Sequence, residues 1–317
     1  MMRVFVYEYL SGGGAAGDAS AELLAAGREM RDAVVGDLLR IGDCAVTVAA
    51  GPQAAEVPGG ARALHPPPGV RADDFVAQQA RLHDLAWVVA PETDGVLARL
   101  QHVVDPGRWL GCDAAAIALT SSKQATLARA AAQGVTTPLA FAASPATRRW
   151  VVKPDDGAGA EHTRLHNTYA AACDDVAARR QRGEEAVLEA WVAGEPLSLS
   201  LLCRADRVEL LSVNRQQIAI DALGVVSFSG VQIAARPHDD ARTGILRDWA
   251  QALARAVPGL RGYVGIDLVW HPQRGPVLIE INPRVTMAYV GLSAALQRNV
   301  AAAVLAAHHH GKAHGHA

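Results

Sequence analysis

The chain has 317 residues, a formal net charge of -2 and 50% hydrophobic residues. This length and apolar content allow two or three compact units with large cores, and the small net charge gives no reason to expect a nucleic acid or an anionic membrane as a partner. Four cysteines without C-x-x-C spacing argue against a zinc site or a disulfide framework. The N-terminus turns polar too soon for a signal peptide, and no apolar run reaches membrane-spanning length. We therefore expect a soluble, cytoplasmic protein.

The first hundred residues alternate between strand and helix patterns. Strands are predicted over 3–9, 45–49 and 85–90, and helices over a stretch ending near Arg40, over 73–82 and over 95–104. This order predicts a βαβ-type domain with a mainly parallel sheet, in which 51–70 is a surface loop. The S-G-G-G at 11–14 lacks the spacing of a phosphate-binding motif. It is either a connecting loop or a substrate-facing loop with Glu8 at the end of the first strand.

Lysine is rare in this chain, because only Lys123, Lys153 and Lys312 are lysines among thirty basic side chains. A lysine presents a compact charge on a flexible stem, which suits contact with a phosphate oxygen. Lys123 falls in the first turn of a predicted helix capped near Ser121 or Ser122, where a cation opposes the helix dipole. An anionic ligand explains this position, and a solvated surface lysine is the alternative.

Lys153 is delivered by a β-branched strand and is followed by a glycine loop containing Gly157 and Gly159. The backbone N–H groups of such a loop can close over phosphates. After the next helix, Glu189 and Glu195 flank a short link between two apolar strands. Backbone groups of such a link, with two carboxylates, commonly hold an adenine and a ribose, and two solvated turn acids are the alternative.

Residues 261–286 predict an antiparallel hairpin in which the apolar residues Val277, Ile279 and Ile281 share one face of the second strand. On the other face, Asp267 would lie opposite Glu280. Two carboxylates that face each other repel, so a cation between them would stabilise the pair.

Asn282 follows on the same face as this acidic pair, and three oxygen-bearing side chains with open coordination positions suit Mg²⁺, or Mn²⁺, that also binds phosphates. Ordinary polar residues on the wet face of a hairpin are the alternative. Arg284 follows Pro283 and would neutralise a phosphoryl group during transfer.

These parts, in this order, resemble the ATP-grasp superfamily over about residues 115–290: a lysine at the first helix, K-P before a glycine loop, E-x-x-x-x-G-E, D-L-V, and E-I-N-P-R. The resemblance implies an α/β fold of the α+β grasp type, in which a βαβ pre-grasp domain precedes two subdomains and an antiparallel sheet holds the metal site. The implied units are the pre-grasp domain 1–113, a lid subdomain 114–192, a C-terminal subdomain 193–307 and a disordered His-rich tail 308–317.

The resemblance also implies a role for each site residue. The nucleotide ATP would contact the following residues: Lys123, Lys153, Gly157, Gly159, Glu189, Trp191, Val192 and Glu195. Magnesium or manganese would be held by Asp267, Glu280 and Asn282. Arg284 and Lys153 would take part in catalysis, and Arg215, in the strands 214–232, would act with them on the substrates.

The implied activity is that of a carboxylate-amine ligase, whose partners are a small-molecule carboxylate and an amine. A carboxylate attacks the γ-phosphate of ATP, and an amine then displaces phosphate from the acyl phosphate. The strings V-Y-E-Y-L-S-G-G-G, V-N-R-Q-Q and N-P-R-V-T look most like the tyramine-glutamate ligase group of methanofuran biosynthesis. A carboxylase, a kinase and a non-catalytic nucleotide-binding regulator are the alternatives, and a homodimer is a common assembly for such folds.

Overall fold

The computed structural model describes residues 1–15, 20–157, 160–237 and 239–313. Within these residues the strands form three sheets, of four, three and five strands. The strands of the first sheet are β1 (Met2–Glu8), β2 (Cys44–Ala49), β3 (Arg62–Leu64) and β4 (Leu85–Val89). They pair in parallel in the order β3-β2-β1-β4, which confirms the predicted parallel N-terminal unit. The short strand β3 lies inside the stretch 51–70 that was predicted as a loop.

Helices cover both faces of this first sheet because β1 is apolar on both sides. Val4 and Val6 share a core with α1 (Ala21–Leu39), whereas Phe5 and Tyr7 share another core with α2 (Ala72–Leu82). The strand order reverses between β1 and β4, so the loops that follow these two strands meet at one edge of the sheet. Ligands of open α/β sheets bind at such an edge.

The second sheet is small and antiparallel, in the order β6-β5-β7, with strands β5 (Trp150–Pro154), β6 (Arg164–His166) and β7 (Ala186–Ala190). Four helices connect it to the first sheet: α3 (Val96–His102), α4 (Ala114–Ser121), α5 (Lys123–Ala132) and α6 (Leu139–Ala142). A further helix, α7 (Tyr169–Gln181), covers one face, where Val152, Ala172 and Val176 form a small buried cluster. We call this sheet with α7 the lid.

The third sheet is antiparallel and carries the predicted acidic pair. Its strands are β8 (Glu195–Cys203), β9 (Val208–Ile220), β10 (Val226–Gln232), β11 (Gly262–His271) and β12 (Gly275–Asn282), in the order β10-β9-β8-β11-β12. Leu246 and Leu253 of α8 (Ala241–Ala256) pack with Leu197 and Ile266 on one face. Asp267 lies on the opposite face, because side chains alternate along β11.

A β-bulge in the last hairpin interrupts the alternation of faces that was predicted for β12. Leu268 pairs with Leu278, whereas Asp267 pairs with Glu280, so Ile279 is the extra residue. Leu278 is fully buried in the core in place of Ile279, which was predicted to face it. The bulge therefore brings Glu280, and not Ile279, opposite Asp267.

The C-terminal segment is helical for longer than the sequence predicted. After α9 (Leu292–Ala295), helix α10 (Val300–Ala313) packs Val300 and Val304 into the core that contains α1. Helix α10 thus continues to Ala313, into the stretch from His308 that was predicted as a disordered tail, because alanine-rich sequence favours a helix and the His308 ring bonds the Gly107 carbonyl at 3.1 Å. The last four residues of the predicted tail, 314–317, lie outside the described residues.

Short 3₁₀ helices occupy Pro52–Ala54, Thr93–Gly95 and Met287–Tyr289. Within the described residues, no single helix is long and apolar enough to cross a membrane. The pair Met287–Ala295 and Val300–His309, bent by 100° at a break, passes the same test of length and composition when taken together.

The tip of the β9–β10 hairpin is bonded to the lid. The Leu165 N–H donates to the Gly224 carbonyl at 2.7 Å, and the Val226 N–H donates to the Thr163 carbonyl at 3.0 Å. Gly224 has a φ of +80°, and a Cβ at this position would lie 2.3 Å from the Leu165 carbonyl oxygen. This hairpin contact therefore requires glycine at position 224.

We expect Gly224→Ala to open the hairpin contact, and Gly183→Ala is its matched control. Gly183 lies after α7 with a φ of +79°, and an added Cβ there meets no heavy atom within 4 Å. Both substitutions cost about 1 kcal/mol of folding free energy for the left-handed backbone, but only Gly224→Ala displaces the Leu165 carbonyl. Hydrogen exchange should accelerate at the Leu165 and Val226 amides in Gly224→Ala alone. Equal protection in both variants would contradict the contact.

Candidate functional site

The acidic pair lies at the centre of the candidate site. Asp267 of β11 is the direct cross-strand neighbour of Glu280, and Asn282 lies on the same face opposite Gly265. The Asn282 side-chain amide donates to Asp267 Oδ2 at 3.3 Å, and Gln216 Nε2 donates to Asp267 Oδ1 at 2.9 Å. Donors from β12, which adjoins β11, and from β9, on the far side of β8, therefore fix the orientation of the Asp267 carboxylate.

Charge repulsion and burial both act against the ionised form of Asp267. Loss of solvation is the larger effect and the Glu280 charge adds to it, and together they raise the pKa of Asp267 to about 7, against the opposing influence of Asn282, Arg284 and Gln216. A cation between the two carboxylates would relieve this cost.

The donor set fits a hard divalent ion that takes its remaining ligands from elsewhere. No group of three His, Cys, Asp or Glu side chains that could hold a metal occurs in the described part of the chain. Two carboxylates and an amide leave coordination positions for phosphate oxygens or water, which is the arrangement that Mg²⁺ or Mn²⁺ commonly accepts.

Lys123 joins the acidic pair to the glycine loop. The Ser122 side chain caps α5 by accepting from the Ala125 N–H, which places Lys123 at the first helical position. Its Nζ lies 3.2 Å from Glu280 Oε1 and donates to the Gly157 carbonyl at 3.0 Å. The side chain is only 8% exposed, so Lys123 is not a solvated surface lysine.

Lys153 and Glu189 form a second buried ion pair inside the lid. They lie on the same face of the sheet, because Lys153 pairs with Val187 and Val151 pairs with Glu189. Lys153 Nζ is 3.0 Å from Glu189 Oε2. The other carboxylate oxygen, Glu189 Oε1, is buried without a hydrogen-bond partner among the described residues.

The backbone N–H groups of the link after Glu189 differ in their partners. The Trp191 N–H donates to the Arg149 carbonyl at 3.0 Å, and the Arg149 guanidinium lies over the Trp191 ring. The Val192 N–H donates to no backbone carbonyl in the described part of the chain. That this N–H binds the edge of a ligand stays a prediction.

The glycine loop is only partly described, and Gly159, predicted to contact the nucleotide, lies outside the described residues. Gly157 has a φ of +108°, a conformation that favours glycine, and its carbonyl accepts from Lys123. The Asp94 N–H, from the loop after β4, donates to Asp156 Oδ2 at 2.8 Å. The N-terminal unit therefore contacts the start of the glycine loop directly.

Arg284 is paired with Glu92, a residue that the sequence did not single out. Arg284 Nε and Nη2 donate to Glu92 Oε2 at 3.1 and 2.8 Å, and the two side chains are 8% and 3% exposed. Glu92 lies in P-E-T-D-G, directly after β4, where the strand order of the first sheet reverses. Its position directly after a strand of the parallel sheet is the feature of the sequence that could have pointed to Glu92 as a site residue.

Glu195 and Arg215, by contrast, do not face the acidic pair. Asp267 pairs with Ser198 on β8, whereas Glu195 pairs with Trp270, so Glu195 lies on the opposite face of the sheet. Arg215 pairs with Leu197 and shares that face. The residue that reaches Asp267 is Gln216, the next in sequence.

The Glu195 carboxylate forms ion pairs with three arginines: Arg215, Arg236 and Arg242. Burial would raise the pKa of Glu195, but Arg215 and Arg236 hold it below its usual value. The structure therefore does not bring Glu195 and Arg215 together with the acidic pair, and their predicted roles in binding ribose and the substrates stay predictions. Glu8 is buried, and its carboxylate accepts from the Leu10 and Ser11 N–H groups.

Comparison with known families agrees with this geometry. A family model described as "ATP-grasp domain" matches residues 120–288, which is more than half of the chain. The chain belongs to the ATP-grasp family. A second model, described as "pre ATP-grasp 3 domain", matches residues 44–117 and covers most of the first parallel sheet. The α/β grasp fold that the sequence implied, with its pre-grasp domain, is confirmed.

Solved structures of low identity share the whole fold. A protein from Archaeoglobus fulgidus described as belonging to the ATP-grasp superfamily is 20% identical, with a TM-score of 0.71 over 96% of this chain and 88% of that one. The VanG D-Ala:D-Ser ligase from Enterococcus faecalis is 12% identical, with a TM-score of 0.67 over 97% and 99%. The D-alanine–D-alanine ligase from Bacillus anthracis complexed with ATP is 13% identical, with a TM-score of 0.65 over 98% of each chain. No curated protein matches the chain.

The opposite orientations of Arg215 and Gln216 lead to a prediction. Gln216→Ala should weaken Mg²⁺ binding in the presence of ADP roughly tenfold, because a hydrogen bond that orients a metal ligand is lost. Arg215→Ala should leave Mg²⁺ binding unchanged, because Arg215 contacts Glu195 on the other face. Calorimetric titration with Mg²⁺ measures both variants, and thermal unfolding checks that each is folded. If only Arg215→Ala weakened Mg²⁺ binding, Arg215 and not Gln216 would be the residue that supports the metal site.

Proposed function

We propose that this chain is an ATP-dependent ligase that joins a small-molecule carboxylate to an amine and releases ADP and phosphate. The observation that carries the proposal is the acidic pair Asp267–Glu280, completed by Asn282 and flanked by the buried cations Lys123 and Arg284. Opposed carboxylates beside buried cations are what metal-assisted phosphoryl transfer requires.

The lid residues suit the nucleotide. Lys153 and Lys123 are compact charges for its phosphates, and the Val192 N–H is a donor for the adenine edge. Glu189 Oε1 needs a hydrogen-bond donor, and the adenine amino group is one. Magnesium, held by Asp267, Glu280 and Asn282, would supply charge neutralisation at the transferring phosphoryl group.

The protein side chains orient the reactants and balance their charge. Lys123 exchanges Glu280 for a phosphate oxygen when the nucleotide binds, and it keeps its bond to the Gly157 carbonyl at the entrance of the glycine loop. Arg284 then faces the acyl phosphate that forms when the substrate carboxylate attacks the γ-phosphate of ATP. The amine displaces phosphate from this intermediate, so the reaction needs no nucleophile from the protein.

Two of the similar structures are named as ligases acting on D-alanine, which supports a carboxylate and an amine as the substrate classes. The finer proposal is glutamate with tyramine or tyrosine, in methanofuran-type cofactor synthesis. It rests on the resemblance of the strings V-Y-E-Y-L-S-G-G-G, V-N-R-Q-Q and N-P-R-V-T to the tyramine-glutamate ligase group. Phosphate release from pools of acids and amines, beginning with these compounds, identifies the substrates.

The decisive variant for the proposed chemistry is Glu280→Gln. It should lower ADP formation by roughly 100-fold or more, because the substitution removes one of two charges that hold the metal. Glu184→Gln is a matched control, since Glu184 pairs with Arg182 on the exposed surface of the lid. Undiminished ADP formation in Glu280→Gln would overturn the role of the acidic pair.

The products distinguish the ligase from its rivals. ADP and phosphate should appear only when an amine is present together with an acid. Bicarbonate-dependent turnover without an amine would indicate a carboxylase, and a stable phosphorylated product would indicate a kinase. AMP and pyrophosphate would be incompatible with the proposal, and nucleotide binding without turnover on any acid would indicate a regulator.

A further inference from the structure

Two buried carboxylates share an unusual hydrogen-bonding pattern. Glu189 and Glu92 each use one oxygen to bind a buried cation, Lys153 in the first case and Arg284 in the second. The other oxygen of each, Oε1, is buried and has no hydrogen-bond partner among the described residues. No other carboxylate oxygen in the described part of the chain shows this pattern of burial without a partner.

A buried acceptor without a donor is costly, so its partner comes from outside the described protein atoms. An ionised carboxylate only accepts hydrogen bonds, and its partner must therefore carry an N–H or O–H group. Under the proposed function, the adenine amino group serves Glu189. The other donors of the nucleotide are its ribose hydroxyls, which adjoin the adenine, whereas Glu92 is bound to Arg284 at the end where the terminal phosphate would lie. Glu92 Oε1 therefore needs a donor from another molecule.

The position of Glu92 indicates which molecule that is. Glu92 follows β4, at the edge of the first sheet where the strand order reverses, and two residues later Asp94 contacts the glycine loop. Its partner Arg284 lies near the acidic pair, since it follows Asn282 by two residues and the Asn282 side chain donates to Asp267. Glu92 is therefore on the N-terminal side of the place where the acyl phosphate would form.

We infer that Glu92 binds the amino group of the second substrate, with Oε1 accepting an N–H from a primary amine while Oε2 holds Arg284. The Glu92–Arg284 pair is neutral overall, and it binds the amine in its neutral form. One N–H donates to Oε1, and the nitrogen lone pair stays free to displace phosphate. This inference rests on the proposed function and adds the residue and the chemical class for its second substrate.

A purely structural role for Glu92 makes a different prediction. If a water molecule satisfies Oε1 and Glu92 only orients Arg284, then Glu92→Gln affects phosphoryl transfer and every substrate together. If Glu92 binds the amine, the variant affects amine affinity selectively. Glutamine keeps an oxygen for Arg284 but turns the other half of the side chain into a donor that opposes an N–H group.

The experiment measures amine binding and turnover separately. Tyramine, followed by a panel of other primary amines, is titrated by calorimetry into protein saturated with Mg²⁺ and a non-hydrolysable ATP analogue. We expect Glu92→Gln to weaken amine binding at least tenfold, and to raise the KM for the amine by the same factor, while affinity for the ATP analogue stays within twofold. Glu209→Gln is the matched control. Glu209 lies on β9, and its carboxylate pairs with Arg204 and Arg298, so this variant should bind the amine as the wild type does.

Glu92→Asp guards against a variant that does not fold, because it retains the charge for Arg284 and withdraws the free oxygen by one methylene. Reduced amine affinity with unchanged binding of the ATP analogue supports the inference in either variant. Unchanged amine affinity in both, a parallel loss for all substrates, or a wild type that binds no primary amine overturns it. Amine-dependent ADP formation with a normal amine KM in Glu92→Gln would refute this inference alone, whereas amine binding without any ADP formation would refute the ligase alone.

Discussion

The site depends on three largely buried ion pairs, of which two connect separate parts of the chain and one lies inside the lid. Lys123 binds Glu280, Lys153 binds Glu189 and Arg284 binds Glu92, and each pair joins side chains from different elements. Removing one member of a buried pair leaves an uncompensated charge, which costs several kcal/mol. Under the proposed function, a phosphate and a divalent cation that arrive together would avoid this cost, because the phosphate would bind Lys123 and the cation would bind Glu280. The pairing would then favour joint binding of the nucleotide and its metal over binding of either alone.

One β-bulge and one helix cap bring the members of the Lys123–Glu280 pair together. Without the bulge at Ile279, the register of the hairpin would place an apolar side chain opposite Asp267. Bulges commonly re-aim a side chain beside a functional site, and here the bulge supplies the second carboxylate. Ser122 ends α4 and begins α5, so that Lys123 is buried between the acidic pair and the glycine loop. Among the described residues, hydrogen bonds such as that from Lys123 to Gly157 join the lid to the rest of the protein.

Local patterns in the sequence were sufficient to predict most of the helices and strands and the positions of some site residues. Strand alternation placed Asp267 and Asn282 on one face, and cap chemistry placed Lys123 at a helix start. The wrong orientation of Ile279 has a simple physical origin, since one residue of register exchanges the two faces of a strand. In R-Q-Q at 215–217 all three side chains are polar, so nothing local distinguishes Arg215 from Gln216. The Glu92–Arg284 bond spans 192 residues of sequence and leaves no local trace in either segment.

The lid and the rest of the fold differ in the size of their apolar cores, and this difference would let the lid move while the rest stays intact. The lid has its own small cluster of buried residues, Val152, Ala172 and Val176, whereas the large cores lie under the first and third sheets. Among the described residues, its contacts at the site include the Lys123 bond to Gly157, the Asp94 bond to Asp156 and the hairpin contact at Gly224. Each is a hydrogen bond that water can replace, so opening of the lid would break polar contacts of low net cost. A nucleotide bound as proposed would contact the lid and the third sheet at once, and the substrate itself would then hold the lid closed.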